Sequence, residues 1–110
     1  MTNRIADRAD QVKALASESR LEILRLLTRP GTEFAAQQSA DPETTGVCMN
    51  MIAERMGVSQ PTISRHIDLL RRAGFLAVRK QQKWSYCRRD EDALAEYHRW
   101  LAETLGITAP

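Results

Sequence analysis

The sequence lacks the features that mark membrane-spanning and secreted proteins. No apolar run in its 110 residues approaches the roughly 18 that suggest a membrane span. The N-terminal stretch MTNRIADRADQVK alternates charged and small residues and has no apolar signal region, which predicts that the chain is not secreted. Its two cysteines are typical of a protein in a reducing cytoplasm and not of a disulfide scaffold.

Catalytic constellations are missing as well. The sequence has no paired general acid and base, no Gly-rich phosphate loop and no His/Cys/Asp cluster, so we expect no enzymatic activity. With 43% hydrophobic residues the chain can build one slim core. Its length fits a single domain over residues 1–110.

Charge is distributed unevenly along the chain, although the net charge is only +2. Between Gly57 and Arg89 there are eight Lys and Arg residues against a single acid, Asp68. The remaining residues comprise eight bases and thirteen acids. A compact basic segment on an acidic body indicates a polyanionic partner, most often nucleic acid. The alternative is a solvated basic face that binds no partner.

Helical periodicity predicts a first helix over about residues 4–16, a second helix capped by Ser17 and a final amphipathic helix with Asp90, Glu91 and Asp92 at its N-terminus. Residues 28–46 separate the second helix from the next one. They contain two prolines, two glycines and one large apolar residue, Phe34. We therefore expect this segment to be a flexible, exposed inserted loop.

Two helices joined by a tight turn are predicted over residues 48–74. The stretch VCMNMIAERMGV is helical and ends at Gly57, and SQPTISRHIDLLRRAGF begins at its cap Ser59 and ends at Gly74. The period then changes: FLAVRK and KWSYCRR predict two strands around a polar turn, a wing over residues 75–89. The predicted fold is mainly α with a small β-hairpin, a winged helix-turn-helix.

The helix that begins after Ser59 has one apolar and one polar face. Advancing 100° per residue groups Ile63, Ile67 and Leu70 into a buried stripe, with His66 leaning towards the core as a structural residue. The exposed face carries side chains that read base edges in the major groove, where Arg pairs with guanine, Gln with adenine and Ser or Thr with either. The wing residues would grip phosphates or reach the minor groove. The predicted DNA-binding residues are Ser59, Gln60, Thr62, Ser64, Arg65 and Arg72 on the helix and Arg79, Lys80 and Lys83 on the wing.

Three separated stretches, LASESRLEILRLL, GVSQPTISRHIDLLRRAGFL and RKQQKWSYCR, together resemble the ArsR/SmtB family of bacterial metal- and stress-sensing repressors. The resemblance implies three helices, a recognition helix, a β-wing and a last helix, in that order, with two subunits paired through the first and last helices. It implies recognition helices in successive major grooves of a palindromic double-stranded DNA operator, which ligand binding releases. On this resemblance Gln60, Ser64 and Arg65 fall at base-contact positions, and Arg79, Lys80 and Lys83 fall on the wing.

Apolar stripes on the terminal helices independently favour a homodimer. They exceed what a small monomer needs to cover, and a symmetric dimer suits two operator half-sites. The residues expected in these stripes are Ile5, Ala9, Val12, Leu94, Tyr97, Trp100 and Leu101.

The inducer is the least determined feature. Soft-metal sensors of the resembled family carry a Cys-x-Cys pair, and here Cys48 stands at the first position but Asn50 at the second. Cys48 and Cys87 are candidate sensor residues, and for each the alternatives are inert packing, a thiol redox switch or a metalloid site completed by other ligands. The resemblance allows arsenite or another soft metal ion as the inducer. A winged-helix protein-interaction module and a DNA-binding regulator without a ligand are the alternative functions.

Overall fold

The computed structural model describes residues 4–107. A 3-10 helix, six α-helices and three strands follow one another in this part of the chain: the 3-10 helix Ile5–Arg8, α1 Ala9–Leu15, α2 Glu18–Leu26, α3 Pro30–Glu33, β1 Val47–Cys48, α4 Met49–Met56, α5 Gln60–Arg72, β2 Leu76–Gln81, β3 Trp84–Arg89 and α6 Glu91–Leu105. The predicted mainly helical architecture with a β-hairpin is confirmed. None of the helices within residues 4–107 has the length and apolar character to cross a membrane.

The two helices of the predicted helix-turn-helix end at glycines as the sequence indicates. Gly57 follows α4 with φ 70°, and Gly74 follows α5 with φ 87°, a region that costs L-residues more than glycine. At the end of α5 the N–H of Gly74 donates to the carbonyl of Arg71, and the N–H of Phe75 donates to that of Leu70. This pair of bonds is the Schellman arrangement. It turns the chain directly from α5 into β2.

The sheet has three antiparallel strands in the order β1-β3-β2. β2 and β3 form the predicted hairpin, paired from Leu76↔Arg89 to Gln81↔Trp84. The prediction that Val47 and Cys48 begin a helix is wrong, because they are extended and pair with Cys87 and Tyr86. By pairing with β3, the strand β1 supplies hydrogen-bond partners to backbone N–H and C=O groups. These groups would be unpaired at the edge of β3 if the hairpin stood alone.

The segment over residues 28–46 differs from the predicted exposed loop without structure. It contains α3, and the side chain of Phe34 is buried. Arg55 of α4 contacts this segment from the solvent side. It donates a hydrogen bond to the Glu33 carboxylate at 2.6 Å and lies 5.9 Å from the centre of the Phe34 ring. The expectation of a loose exposed insertion is therefore wrong for its central part, because one aromatic side chain joins the core and anchors the turn around it.

Gln37 holds the second half of this segment. Its amide is 8% exposed, and Nε2 donates to the carbonyls of Ala40 and Gly46, both at 2.9 Å. Its Oε1 accepts from the N–H of Cys48 at 2.7 Å. The side chain thus supplies three hydrogen bonds where the chain enters β1, and a buried amide needs such partners.

The terminal helices are joined by a partly buried ion pair. Arg8 donates to both carboxylate oxygens of Glu96, at 2.6 and 2.7 Å, and lies 4.8 Å above the Trp100 ring. The hydrogen bond between Arg8 and Glu96 raises the pKa of Arg8 and lowers the pKa of Glu96. The N-terminal 3-10 helix is thereby joined to the middle of α6.

Part of the predicted apolar stripe on α6 lies inside the subunit. Tyr97 and Trp100 are buried, and the Tyr97 ring meets Phe75 edge-on with centroids 5.3 Å apart. The expectation that Tyr97 and Trp100 face a second subunit is wrong, because the chain's own core covers both. The large apolar residues that remain exposed on the terminal segments are Ile5, Val12, Leu105 and Ile107.

Candidate nucleic-acid interface

The beginning of α5 is shaped by its cap. Ser59 Oγ accepts from the backbone N–H of Thr62 at 3.3 Å and donates to Thr62 Oγ1 at 3.0 Å. Pro61 sits in the first turn, where its missing N–H costs no helical hydrogen bond. Ser59 and Thr62, the two hydroxyl residues predicted to contact bases, are exposed and hydrogen-bonded to each other. The cap fixes the geometry of the first turn, from which base-reading side chains would project.

The two faces of α5 divide as the helical wheel predicts. Ile63, Ile67 and Leu70 are buried and pack the helix onto the core. The predicted DNA-binding residues of this helix are all exposed to solvent: Ser59, Gln60, Thr62, Ser64, Arg65 and Arg72. An α-helix with one buried face and an outward row of polar side chains has the dimensions that fit the DNA major groove.

Gln60 has a partner that sequence reasoning missed. Its Nε2 donates to Oδ1 of Asn50 at 2.6 Å, so the bond joins the exposed faces of α5 and α4. Asn50 and Gln60 are ten residues apart, and only the crossing of the two helices brings them together. No spacing rule within one helix could have found this pair.

The charge on α5 is partly neutralised within the helix. Asp68 accepts from Arg71 at 2.7 Å and lies 2.9 Å from Arg72. The hydrogen bond from Arg71 lowers the pKa of Asp68, with further lowering by the positive charges nearby. Arg65, by contrast, has no carboxylate within ion-pair distance among residues 4–107. Arg65 is therefore the cation of α5 most available to a DNA ligand, whereas Arg72 shares Asp68.

The wing places its three predicted basic residues at different points. Register pairs Arg79 with Tyr86 and Lys80 with Ser85, so Arg79 and Lys80 project from opposite faces of the hairpin. Lys83 lies in the two-residue turn, with Nζ 5.0 Å from the centre of the Trp84 ring. All three basic side chains are exposed. The wing can therefore offer positive charge on both faces and at its tip.

His66 connects α5 to the helices behind it. It is half-buried, and its Nδ1 lies 3.1 Å from a guanidinium nitrogen of Arg20, which can only donate. Arg20 also donates to the Ala14 carbonyl at the end of α1, at 2.6 Å. Burial lowers the pKa of His66, and the charges of Arg20 and Arg65 lower it further. Both the lowered pKa and the facing Arg20 donor favour the neutral imidazole, with Nδ1 as the acceptor at the junction of α1, α2 and α5.

The two cysteines lie on adjacent strands but face opposite ways. Cys48 pairs with Tyr86 and Cys87 with Val47, so the side chains leave opposite faces of the sheet. A disulfide between them would need the backbone to move. Burial raises the pKa of the Cys87 thiol to about 12, and the neighbouring Cys48 adds to the effect. Because the thiolate is the reactive form, this shift favours packing over reactivity for Cys87.

A metal centre is not assembled in the described part of the chain. No group of three or more His, Cys, Asp or Glu side chains within residues 4–107 could hold a metal ion. Cys48, also buried, has no second sulfur ligand beside it, because Cys87 projects from the other face. Tight soft-metal sites use several sulfur or nitrogen ligands, so these residues do not fit such a site within one subunit.

Known proteins match this chain in sequence. A family model described as a helix-turn-helix domain matches residues 50–79, which include α5. The uncharacterised helix-turn-helix transcriptional regulator YbzH of Bacillus subtilis is 38% identical over 76% of this chain and 84% of its own length. The arsenical resistance operon repressor of Escherichia coli is also 38% identical, over 69% of this chain and 53% of its own length.

Solved structures share the fold. The ArsR family transcriptional regulator RHA00566 has a TM-score of 0.72 at 20% identity, covering 97% of this chain and 95% of its own. The homodimeric winged helix-turn-helix DNA-binding domain Mb0332 of Mycobacterium bovis has a TM-score of 0.61 at 25% identity, covering 93% and 81%. The predicted winged helix-turn-helix fold is confirmed by these similarities. The chain belongs to the ArsR family of helix-turn-helix transcriptional regulators.

Proposed function

We propose that this regulator is a homodimeric repressor that binds a palindromic operator in double-stranded DNA and leaves it when a chemical signal arrives. The observation that carries the proposal is the exposed row on α5, where Gln60, Ser64 and Arg65 project from a helix locked by its buried face. Residues at the start of a recognition helix are those that reach base edges in this motif. Ser59 and Thr62 flank the row.

The remaining basic residues supply affinity. Arg72 on α5 and Arg79, Lys80 and Lys83 on the wing are exposed cations suited to phosphate contact. Phosphate contacts position a protein on DNA without reading its sequence, and they release counterions. Binding should therefore weaken steeply as salt rises. We place the protein in the cytoplasm, because a DNA-binding regulator must reach the chromosome.

The dimer is proposed to form through the terminal segments. Ile5, Val12, Leu105 and Ile107 remain exposed there, and a symmetric pairing would cover each patch with its copy. The homodimeric Mb0332 domain supports this arrangement. Leu105→Asp should shift the protein towards monomer in sedimentation equilibrium, because a buried charge opposes the contact. Leu21→Asp, at an exposed apolar residue of α2, is the matched control.

DNA recognition is tested with duplexes selected from a random pool, measured by fluorescence anisotropy over a range of salt. Arg65→Ala should relax the preference at one base position by roughly 5- to 150-fold. Lys83→Ala should weaken all sequences alike and reduce the salt slope by about 1. Arg29→Ala, at an exposed arginine outside α5 and the wing, should do neither. If both Arg65→Ala and Lys83→Ala left binding unchanged, the assignment of α5 and the wing would be wrong.

The release signal is proposed to belong to one of two classes, a soft metal or metalloid ion or a thiol-reactive compound. The arsenical resistance operon repressor among the relatives supports the first class, and the lack of a second sulfur ligand beside Cys48 favours the second. Operator binding should be titrated with arsenite, cadmium, zinc and peroxide for the wild type, Cys48→Ser and Cys87→Ser. Loss of the response in Cys48→Ser alone identifies the sensor, and a response unchanged in Cys48→Ser refutes that role.

A further inference from the structure

One contact of the recognition helix is not needed to hold the fold. The hydrogen bond from Gln60 Nε2 to Asn50 Oδ1, 2.6 Å long, lies outside the core, between two exposed side chains. Water competes for both groups, so such a bond contributes little to the free energy of unfolding. The bond instead affects the orientation of the Gln60 amide, because it fixes Nε2 on the side of Asn50 and leaves Oε1 on the other side.

The two ends of a glutamine amide have opposite hydrogen-bonding roles. Nε2 carries two hydrogens, and Oε1 only accepts. With one hydrogen given to Asn50, Gln60 retains one N–H and the Oε1 acceptor, which accepts no hydrogen bond among residues 4–107. A donor beside an acceptor complements adenine, which offers N7 as acceptor and N6 as donor in the major groove. Guanine offers two acceptors there and is not complemented.

Both partners stand on well-anchored positions. Gln60 is the first residue of α5, directly after the Ser59 cap. Asn50 is in the first turn of α4, which follows β1 without a break. The hydroxyls of Ser59 and Thr62 bond to each other and do not compete for the Gln60 amide. The orientation of the amide is therefore set by Asn50 and not by its other neighbours.

We propose that Asn50 is a positioning residue that gives Gln60 a preference for adenine at one position of each operator half-site. The inference rests on the proposed function, since it requires α5 to read DNA. Asn50 would not need to touch the base itself. If the bond were lost, the amide could turn over and present either its donor or its acceptor, and the preference would fade.

The experiment uses the full chain and its selected duplex. The position read by Gln60 is first found as the one whose preference disappears in Gln60→Ala. All four base pairs are then compared there for the wild type, Asn50→Ala and Asn50→Asp. The wild type should favour adenine by roughly 5- to 150-fold. In Asn50→Ala this ratio should fall towards unity, while the preference at the Arg65 position and the unfolding midpoint stay unchanged.

Two variants separate positioning from a general loss of binding. Asn50→Asp keeps an acceptor for Nε2, so it should keep the adenine preference while its charge weakens binding to every duplex alike. Glu54→Ala, at another exposed residue of α4, should leave the preference intact. A wild-type preference for guanine at this position, or an adenine preference that survives Asn50→Ala, would overturn the inference alone. A wild type that binds no duplex selectively would overturn the proposed function as well.

Discussion

Replacing Gln37 with alanine should destabilise the protein far more than a surface substitution does. The change removes three hydrogen bonds and leaves two buried groups without partners, the N–H of Cys48 and the carbonyl of Gly46. Each buried polar group left unsatisfied costs about 1–3 kcal/mol. The third partner of Gln37, the carbonyl of Ala40, is only partly buried, so water can replace the hydrogen bond that it loses. The expected loss is about 2–6 kcal/mol of unfolding free energy.

This loss is large against the roughly 5–15 kcal/mol of total stability that a small domain has. Urea unfolding followed by circular dichroism measures it, and hydrogen exchange at the Cys48 amide reports the local effect. Gln38→Ala is the matched control, because the neighbouring glutamine is exposed; it should change stability by no more than about 0.5 kcal/mol. Equal stability of the two variants would refute the reasoning. It would show that Gln37 does not anchor residues 28–46.

The other predictions concern α5. Folding lowers the pKa of His66 below its ordinary value of 6.5. The stability linked to neutral His66 is therefore present above pH 6.5 and is lost as the pH falls through the lower pKa of the folded state. The unfolding midpoint should therefore drop less between pH 7 and pH 5 in His66→Gln than in the wild type. Asp68→Asn should tighten DNA binding several-fold at low salt in anisotropy titrations, because it releases the two arginines that Asp68 holds. Ser59→Ala should cost about 1 kcal/mol in urea unfolding, because it removes the N-cap of α5.

Each of these has a control within the chain. His98→Gln changes the other histidine, which is exposed on α6, and should retain the wild-type pH dependence. Glu103→Gln changes the net charge as Asp68→Asn does, but away from α5, and should affect DNA binding less. The argument for His66 would be contradicted if the pH dependence of the unfolding midpoint disappeared in His98→Gln. The argument for Asp68 would be contradicted if both acid variants tightened DNA binding equally. The argument for Ser59 would be contradicted if Ser59→Ala left the urea midpoint unchanged.

Local patterns were sufficient for much of the candidate site. The cap at Ser59, the end of α5 at Gly74 and the division of α5 into two faces all follow from rules that act within about one helical turn. The pairing of Asp68 with Arg71 and Arg72 was also readable, because residues three and four apart are neighbours on a helix. Gln60, Ser64 and Arg65 lie on the solvent side that the wheel assigned to them.

Local patterns failed where a residue's partner is distant in the chain. Proline, glycine and polar residues in 28–46 are typical of a loop, and nothing in the segment shows that Phe34 enters the core or that Gln37 bonds to Cys48. A two-residue strand has no period to detect, so the helical pattern that follows predicts a helix from Val47 onwards. Tyr97 and Trp100 are on an apolar stripe, but a stripe does not say whether it faces its own core or another subunit.

The sequence by itself determined the order of the longer helices and the hairpin, the basic segment and the polar side chains that open α5. These depend on periodicity, capping and charge, which are properties of neighbouring residues. Only the tertiary structure decided that Asn50 accepts a hydrogen bond from Gln60, that Gln37 closes the 28–46 segment and that the two thiols face apart. Those contacts depend on how helices cross and strands pair, and such geometry is set by the packing of the whole chain.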